Sequence, residues 1–135
     1  MAHILVDSNV LLDVITEDER WLDWSAATLE KYGDDNVLAI NPVIYAEIST
    51  RYDNIEELEK ALSANPIERL PIPWEAAFLA GKCFMQYRKR GGHRTSTLPD
   101  FFIGAHATVL DMPLITRDAT RYRTYFPKLR IIAPE

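Results

Sequence analysis

Acidic residues occupy four positions in this sequence where carboxylates commonly perform chemistry. Asp7 directly follows the apolar run Ile4–Val6, and Asp118 follows a second apolar pair after an intervening Thr and Arg. Two carboxylates about 4 Å apart repel by about 4 kcal/mol at an effective dielectric constant of about 20. If such side chains meet, they require a hard divalent cation with oxygen ligands, Mg²⁺ or Mn²⁺. The four candidate residues are Asp7, Glu47, Asp100 and Asp118.

Three of these carboxylates also have an ordinary structural explanation. Asp7 stands where a helix begins, so its side chain could simply cap that helix. Asp100 follows Thr97 by three residues and could be the acidic half of a capping box. Glu47 falls on the apolar side of its predicted helix, where a carboxylate needs a cation, a metal or a proton. Arg51, four residues later, could be that partner.

Short apolar runs, each bounded by polar or turn residues, predict the strands that would carry these side chains. The predicted strands are Ile4–Val6, Val37–Ile40, Glu68–Ile72, Leu114–Ile115 and Arg130–Ile132. Helical spacing and capping residues predict helices between them. Seven helices are predicted. Two of them are predicted by their first residues, Val10 and Pro42, and a third follows Asn54 and ends at about Ser63. The other four cover Trp21–Tyr32, Trp74–Arg90, Phe101–Leu110 and Ala119–Tyr125.

This alternation predicts a single α/β domain over residues 1–135. Strands that alternate with helices form a parallel sheet with right-handed crossovers and helices on both faces. Ligands bind at the carboxyl ends of the strands in such sheets. Asp7 and Asp118 each follow a strand, so both belong at that edge.

The composition is that of an ordinary soluble domain, with 47% hydrophobic and 26% charged residues in a chain of 135. The single cysteine, Cys83, cannot form an internal disulfide or a zinc site and is expected to be a small buried side chain. The apolar runs are much shorter than a membrane span, and the first residues lack the pattern of a signal peptide. We therefore expect a cytoplasmic protein with no membrane partner.

The charge is unevenly distributed along the chain. The net charge is -5, yet no acidic residue lies between Glu75 and Asp100. That window contains five basic residues, Lys82, Arg88, Lys89, Arg90 and Arg94. A polyanion could bind this basic segment if a metal ion neutralised the acidic groups elsewhere. The alternative is a solvated helix end followed by a polar loop.

Two aromatic residues and one histidine have more than one reading. Trp21 and Trp24 lie on the same predicted helix, where they could be core residues or anchors for a partner protein. His106 lies within a largely apolar helix without a pattern of further ligands, which favours a structural role.

Four segments, DSNVLLD, NPVIYAEIS, LPDFFIGAHA and LITRDATRY, follow one another across nearly the whole chain. In this order and at these separations they resemble the PIN domain, and more narrowly the VapC-type toxins of bacterial toxin–antitoxin pairs. The resemblance implies a Mg²⁺- or Mn²⁺-dependent ribonuclease on a five-stranded parallel sheet. It also implies that Asp7, Glu47, Asp100 and Asp118 form an acidic quartet. Ser8 stands where the family more often has Thr, which keeps the hydroxyl.

These implications define a mechanistic hypothesis, the metal-assisted hydrolysis of an RNA phosphodiester. Asp7 and Asp100 would hold the metal directly, while Glu47 and Asp118 would complete its coordination or orient the attacking water. Hydrogen bonds from Ser8, Asn9 and Thr116 would support the carboxylates. The RNA backbone would contact Arg88, Lys89, Arg90, Arg94 and Arg117.

The resemblance also implies partners. Toxins of this kind are held inactive by an antitoxin that places a basic residue in the acidic site, and Trp21 and Trp24 are candidate anchors for it. Homodimerisation is implied in the same way. Two other readings remain: a non-catalytic PIN-like module that binds RNA or protein around a structural ion, and a receiver-type protein using Asp7. The absence of a DxD motif and of a glycine-rich phosphate loop disfavours the receiver-type protein.

Overall fold

The computed structural model describes residues 2–91 and 97–135. Its strands are β1 (His3–Val6), β2 (Val37–Ile40), β3 (Ile67–Arg69), β4 (Leu114–Ile115) and β5 (Ile131–Ile132). Its helices over these residues are α1 (Ser8–Ile15), α2 (Leu22–Gly33), α3 (Pro42–Ser49), α4 (Ile55–Ser63), α5 (Trp74–Lys89), α6 (Leu98–Val109) and α7 (Thr120–Arg123). Strands and helices therefore alternate in the predicted order.

The strands form one parallel sheet with β1 at its centre. The strand order is β3-β2-β1-β4-β5, and Leu5 of β1 lies opposite Ala39 of β2 and Leu114 of β4. Leu5 and Val6 are fully buried, as expected for a strand that is covered on both faces. The predicted five-stranded parallel sheet is confirmed.

The direction in which the chain moves across the sheet reverses at β1. The chain passes from β1 to β2 and β3 on one side, then crosses to β4 and β5 on the other. Because crossovers between parallel strands are right-handed, α1 to α4 cover one face and α5 to α7 the other. A crevice opens at such a switch point, outside the carboxyl ends of the two strands. Asp7 after β1 and Thr116 after β4 both lie there.

Beyond this edge, α3 packs against α6 and a buried polar pair joins them. Asn41 caps α3 through its Oδ1, which accepts the Ile44 N–H at 2.9 Å. Its Nδ2 therefore donates to His106 Nδ1, 3.0 Å away. His106 is fully buried, and burial lowers its pKa. This contact gives His106 a structural role, in keeping with its sequence context.

Aromatic packing fixes the position of α6. The ring of Phe101 lies 5.5 Å from Phe84 of α5, 5.4 Å from Tyr125 and 6.2 Å from Phe126, centroid to centroid. A Cβ atom on Gly104 would lie 2.4 Å from the Phe126 ring, so only glycine permits this approach. Because Phe101 is anchored in this cluster, the first turn of α6 and its Asp100 are held at the sheet edge.

Several element boundaries differ from the prediction by one to three residues, among them those of β3 and α7. Strand β3 ends at Arg69 rather than at Ile72, because Pro71 and Pro73 lack the N–H that a strand needs for its ladder. Helix α7 covers Thr120–Arg123 and is shorter than predicted. Cys83 is buried, as expected. Among the described residues, no helix is both long and apolar enough to cross a membrane.

Candidate active site

Asp7 is the buried centre of the candidate site. It occupies the N-cap position of α1, but its side chain makes no capping hydrogen bond, so the alternative that it simply caps this helix does not hold. Its Oδ2 instead accepts hydrogen bonds from Tyr122 Oη at 2.7 Å and Thr116 Oγ1 at 2.8 Å. Asn9 Nδ2 approaches the same oxygen at 3.4 Å. The Ser8 hydroxyl lies 3.4 Å from Asp7 Oδ1.

The Thr116 hydroxyl is oriented by the backbone after β4. Its oxygen accepts the Asp118 N–H at 3.1 Å, which directs its proton to Asp7. Asn9 supports the same arrangement, since its Oδ1 accepts the Arg117 N–H at 3.2 Å and its Nδ2 reaches Thr116 Oγ1 at 3.3 Å. The hydrogen bonds expected from Asn9 and Thr116 are therefore present.

Tyr122 is a site residue that the sequence reasoning missed. It is fully buried at the carboxylate of Asp7, although it belongs to a helix of only four residues. A tyrosine among apolar residues is typically a core side chain, and nothing in its spacing points to Asp7, more than a hundred residues earlier. The only available signal is its place in the last of the four segments, four residues after Asp118.

Burial dominates the electrostatics of this centre. It raises the pKa of Asp7, while hydrogen bonds from Tyr122 and Thr116 pull that pKa down and the charge of Asp100 pushes it up. Burial together with the charges of Asp7 and Asp100 raises the pKa of Tyr122 well above its ordinary value. Tyr122 is thus a hydrogen-bond donor to Asp7 at every physiological pH.

Glu47 faces the same centre from α3. Its Oε1 accepts a hydrogen bond from Ser8 Oγ at 2.8 Å, so the carboxylate is held by Ser8 and not by Arg51. Burial raises the pKa of Glu47, the Ser8 hydrogen bond lowers it, and the charges of Asp7 and Asp100 raise it. Ser8 thereby links two of the four predicted carboxylates.

Asp100 is both a helix-capping residue and a member of the acidic centre. Its Oδ2 accepts the Thr97 N–H at 3.0 Å, which confirms the predicted capping box. Its side chain is only 8% exposed, and its charge acts on both Asp7 and Glu47. Capping uses one oxygen and leaves Oδ1 facing Arg121, whose Nη1 lies 3.7 Å away.

Asp118 lies at the outer side of the centre and is paired with a cation. Its Oδ2 accepts from Arg121 Nε at 2.7 Å, and its Oδ1 accepts from Thr120 Oγ1 at 3.0 Å. Arg121 therefore contacts two predicted acidic residues, Asp100 and Asp118. The sequence reasoning did not single out Arg121.

The four predicted acids thus converge at one edge of the sheet. Contacts connect Glu47 through Ser8 to Asp7, and Asp118 through Arg121 to Asp100. Within residues 2–91 and 97–135, however, no three acidic, histidine or cysteine side chains are grouped closely enough to hold a metal ion. The side chains of the four acids offer negatively charged oxygen atoms, the type of ligand that a hard divalent cation prefers.

Arg117 has a structural partner instead of a free guanidinium. Its Nε donates to Asp13 Oδ2 at 2.6 Å, and its guanidinium carbon lies 5.3 Å from the centroid of the Trp21 ring. Ser25 also donates to Asp13, whose side chain is only 2% exposed. These contacts tie the end of β4 to α1 and α2, so Arg117 has a structural partner, and its predicted contact with RNA stays a prediction.

The other predicted RNA-contacting residues lie at the end of α5. Arg88, Lys89 and Arg90 are all exposed there. Arg88 lies over the Phe84 ring and Arg90 over the Tyr125 ring, with 6.0 and 5.6 Å between each guanidinium carbon and the ring centroid. Arg94 lies outside the described residues.

Trp21 and Trp24 form one half-buried aromatic pair. Their ring centroids are 6.5 Å apart in an edge-to-face arrangement, and Trp24 also packs against the core. Arg20 and Arg117 flank the Trp21 ring at 5.0 and 5.3 Å. The pair therefore contributes to the core and also presents part of its surface to solvent.

Comparison with known proteins identifies both a family and a fold. The family model described as "PIN domain" matches residues 4–127. A search of curated protein sequences finds no significant match.

Several solved structures share the fold over 98% of this chain and 98% of their own. VapBC2 from Rickettsia felis bound to a DNA fragment from its promoter has a TM-score of 0.75 at 18% identity. VapBC-1 from nontypeable Haemophilus influenzae has a TM-score of 0.73 at 19% identity. A toxin–antitoxin complex from Klebsiella pneumoniae has a TM-score of 0.69 at 21% identity. At these identities the likeness shows a shared fold.

Proposed function

Because the chain belongs to the PIN domain family, we propose that it is a divalent-metal-dependent endoribonuclease, the toxin of a toxin–antitoxin pair. The observation that carries the proposal is the convergence of four carboxylates at the switch point of the sheet. Asp7 lies at their centre, buried and with a raised pKa. Asp100 is buried as well, and a protein rarely buries two mutually repelling acids unless they serve a function.

The metal would be held by Asp7, Asp100 and Asp118, with Mg²⁺ or Mn²⁺ as the ion that suits their oxygen atoms. When bound, the ion would activate water and offset the negative charge that develops on the scissile phosphate. Asp7 Oδ2 is already saturated by Tyr122 and Thr116, which leaves Oδ1 as the oxygen that Asp7 offers.

The chain's own side chains position the acids and handle the proton. Tyr122, Thr116 and Asn9 fix the orientation of Asp7, and Ser8 holds Glu47 through Oε1. The raised pKa of Glu47 makes it a stronger base than an exposed glutamate. We assign Glu47 Oε2 to orient the attacking water and accept its proton.

The substrate surface in this proposal is the exposed end of α5. Arg88, Lys89 and Arg90 provide three cations on a chain of net charge -5. Contacts from lysine and arginine to phosphates supply most sequence-independent affinity for nucleic acids. We also retain Arg94 as a predicted RNA contact.

The partner in this proposal is an antitoxin protein. Its support is that structures with this fold include VapBC complexes and a toxin–antitoxin complex. We propose Trp21 and Trp24 as its anchors, because exposed aromatic surface is a common feature of binding hot spots. A homodimer and a cytoplasmic location complete the proposal.

A second candidate is a non-catalytic PIN-like module that binds RNA or protein. It is favoured by the absence, within the described part of the chain, of three acids already grouped for an ion. The two candidates differ in one measurable property, because only the nuclease consumes RNA.

The test is cleavage of a labelled RNA mixture by purified protein in Mg²⁺, then in excess EDTA, then after Mg²⁺ is added back. The nuclease predicts cleavage that EDTA abolishes and Mg²⁺ restores. Binding of RNA without cleavage under all three conditions would favour the non-catalytic module. An Asp100→Asn preparation purified in parallel controls for contaminating ribonucleases.

A further inference from the structure

Arg121 lies inside the acidic centre, although it belongs to the surface of α7. Its Nε is 2.7 Å from Asp118 Oδ2 and its Nη1 is 3.7 Å from Asp100 Oδ1. These are two of the three carboxylates proposed to hold the metal. A single guanidinium therefore bridges side chains that a metal ion would otherwise bring together.

The charge of Arg121 reaches a third acid. It lowers the pKa of Glu47, opposing the effects of burial and of the neighbouring carboxylates. A fixed positive charge among mutually repelling carboxylates stabilises their ionised forms, which is also what a metal ion does. Arg121 thus supplies part of the charge compensation that the acidic centre needs without a metal.

The contacts of Arg121 are of a kind that breaks easily. Its side chain is 41% exposed and Asp118 is 36% exposed, which places their ion pair in the weak, solvent-screened class. Its distance to Asp100 exceeds hydrogen-bond length. Arg117, four residues earlier, shows the opposite design, because its partner Asp13 is 2% exposed and shared with Ser25.

The separation of the acids agrees with this arrangement. In the described ranges, 2–91 and 97–135, no three of them are close enough for an ion. Asp118 is held outward by Arg121 and Thr120, whereas Asp7 is held inward by Tyr122 and Thr116. Bringing Asp100 and Asp118 to a shared ion requires the guanidinium between them to leave.

We propose that Arg121 is a resident counter-ion that occupies the place of the metal between Asp100 and Asp118, so that metal binding must displace it toward solvent. This inference rests on the proposed metal site. Arg121 and the metal ion then compete for the same two carboxylates. The apparent metal affinity is therefore lower than it would be if Arg121 did not contact them.

The experiment is a calorimetric titration of Mn²⁺ into the full chain, without RNA. Arg121→Gln removes the competing cation, and Arg123→Gln removes one from an exposed position on the same helix, so the two variants have equal net charge. We expect Arg121→Gln to bind Mn²⁺ roughly three- to tenfold more tightly than the wild type, the range expected for losing two weak ion pairs. We expect Arg123→Gln to change little and Arg121→Lys to lie between wild type and Arg121→Gln.

A thermal melt provides a second readout that does not depend on activity. In EDTA, Arg121→Gln leaves two carboxylates without their cation and should melt below the wild type, and its gain in melting temperature with Mn²⁺ should exceed that of the wild type. Equal Mn²⁺ affinities in wild type and Arg121→Gln would overturn the proposed role of Arg121 but not the metal site. So would an increase in Mn²⁺ affinity in Arg123→Gln as large as that in Arg121→Gln. Absence of Mn²⁺ binding in every variant would overturn the proposed metal site and this inference with it.

Discussion

The Tyr122 hydroxyl donates a hydrogen bond to Asp7 Oδ2 at 2.7 Å, and both side chains are buried. The pair joins the residue that follows β1 to α7, across 115 positions of sequence. Tyr122 and Thr116 donate to the same oxygen of Asp7, so their hydrogen bonds fix the orientation of the carboxylate. Tyr122 is therefore a positioning residue for the centre of the site.

We predict that Tyr122→Phe makes cleavage more sensitive to acid. The lost hydrogen bond favours the ionised form of Asp7, so its removal raises the Asp7 pKa further. The acidic limb of the pH–rate profile should move to higher pH, with activity recovering under alkaline conditions. The variant should also lose about 2 kcal/mol of unfolding free energy, because a hydrogen bond to a charged group is removed.

The matched control for this prediction is Tyr125→Phe, whose ring packs against Phe101. This control should retain the pH–rate profile of the wild type. An unshifted acidic limb in Tyr122→Phe would mean that Tyr122 only fills space.

Asp7→Asn is expected to stabilise the metal-free protein while removing activity. Burial raises the pKa of Asp7 in the folded state, so the folded protein binds more protons than the unfolded chain between the two pKa values. The stability contributed by this group is present below the unfolded pKa and is lost as pH rises through the folded pKa. Asparagine retains an acceptor for Tyr122 and Thr116 without the buried charge.

The measurement is urea unfolding in EDTA at several pH values. At neutral pH the variant should gain on the order of 1 kcal/mol over the wild type, the size of a typical gain when a functional site is relaxed. The gain should shrink as the pH falls through the raised pKa of Asp7, because the wild-type carboxyl then becomes protonated. A gain that is independent of pH would contradict the origin we assign to it.

The sequence predicted the sheet well because the strands are short apolar runs with clear boundaries. In β1, burial on both faces demands three consecutive apolar residues, and that pattern is visible without a structure. Strand β3 was less predictable, because the run from Glu68 to Ile72 has strand-like composition while Pro71 and Pro73 exclude it from the ladder.

The sequence allowed the acidic side chains of the candidate site to be identified, but not the contacts of its arginine side chains. A carboxylate at the end of a buried strand identifies itself by position, as Asp7 and Asp118 do. The partner of a long arginine side chain on the surface cannot be recognised from its position in the sequence, because the direction of the side chain depends on tertiary contacts. Arg117 was expected to contact RNA yet pairs with buried Asp13, whereas Arg121, which passed unnoticed, enters the acidic centre.

The pairing of Arg117 with Asp13 predicts an effect on stability rather than on RNA binding. Arg117→Ala leaves a buried carboxylate without its cation and should cost about 2 kcal/mol of unfolding free energy. Arg20→Ala is the matched control, because Arg20 also lies over the Trp21 ring but is exposed. Chemical denaturation should show a large loss for Arg117→Ala and little change for Arg20→Ala. A comparable loss in both variants would assign the effect to Trp21.

The basic end of α5 predicts a change in the salt dependence of RNA binding. Simultaneous replacement of Arg88, Lys89 and Arg90 by Ala removes three exposed cations. The slope of log affinity against log salt should fall in magnitude by about 2, since each phosphate contact on single-stranded RNA contributes about 0.7. The melting temperature should change little, because the side chains are exposed.

The control for this experiment is a variant with Lys31, Lys60 and Lys128 replaced by Ala, which removes three exposed cations from elsewhere. A similar slope change in both variants would show that net charge, and not the end of α5, determines RNA binding.

The most direct test of the central claim is RNA cleavage in Mg²⁺ by the wild type, Asp7→Asn, Asp100→Asn and Asp111→Asn. Asp111 is the matched control, since its side chain is 89% exposed and asparagine also tolerates its positive φ of 52°. We predict that Asp7→Asn and Asp100→Asn each reduce cleavage by at least about a hundredfold, while Asp111→Asn cleaves like the wild type. Undiminished cleavage by either Asp7→Asn or Asp100→Asn would contradict the claim that these carboxylates form a metal-dependent nuclease site.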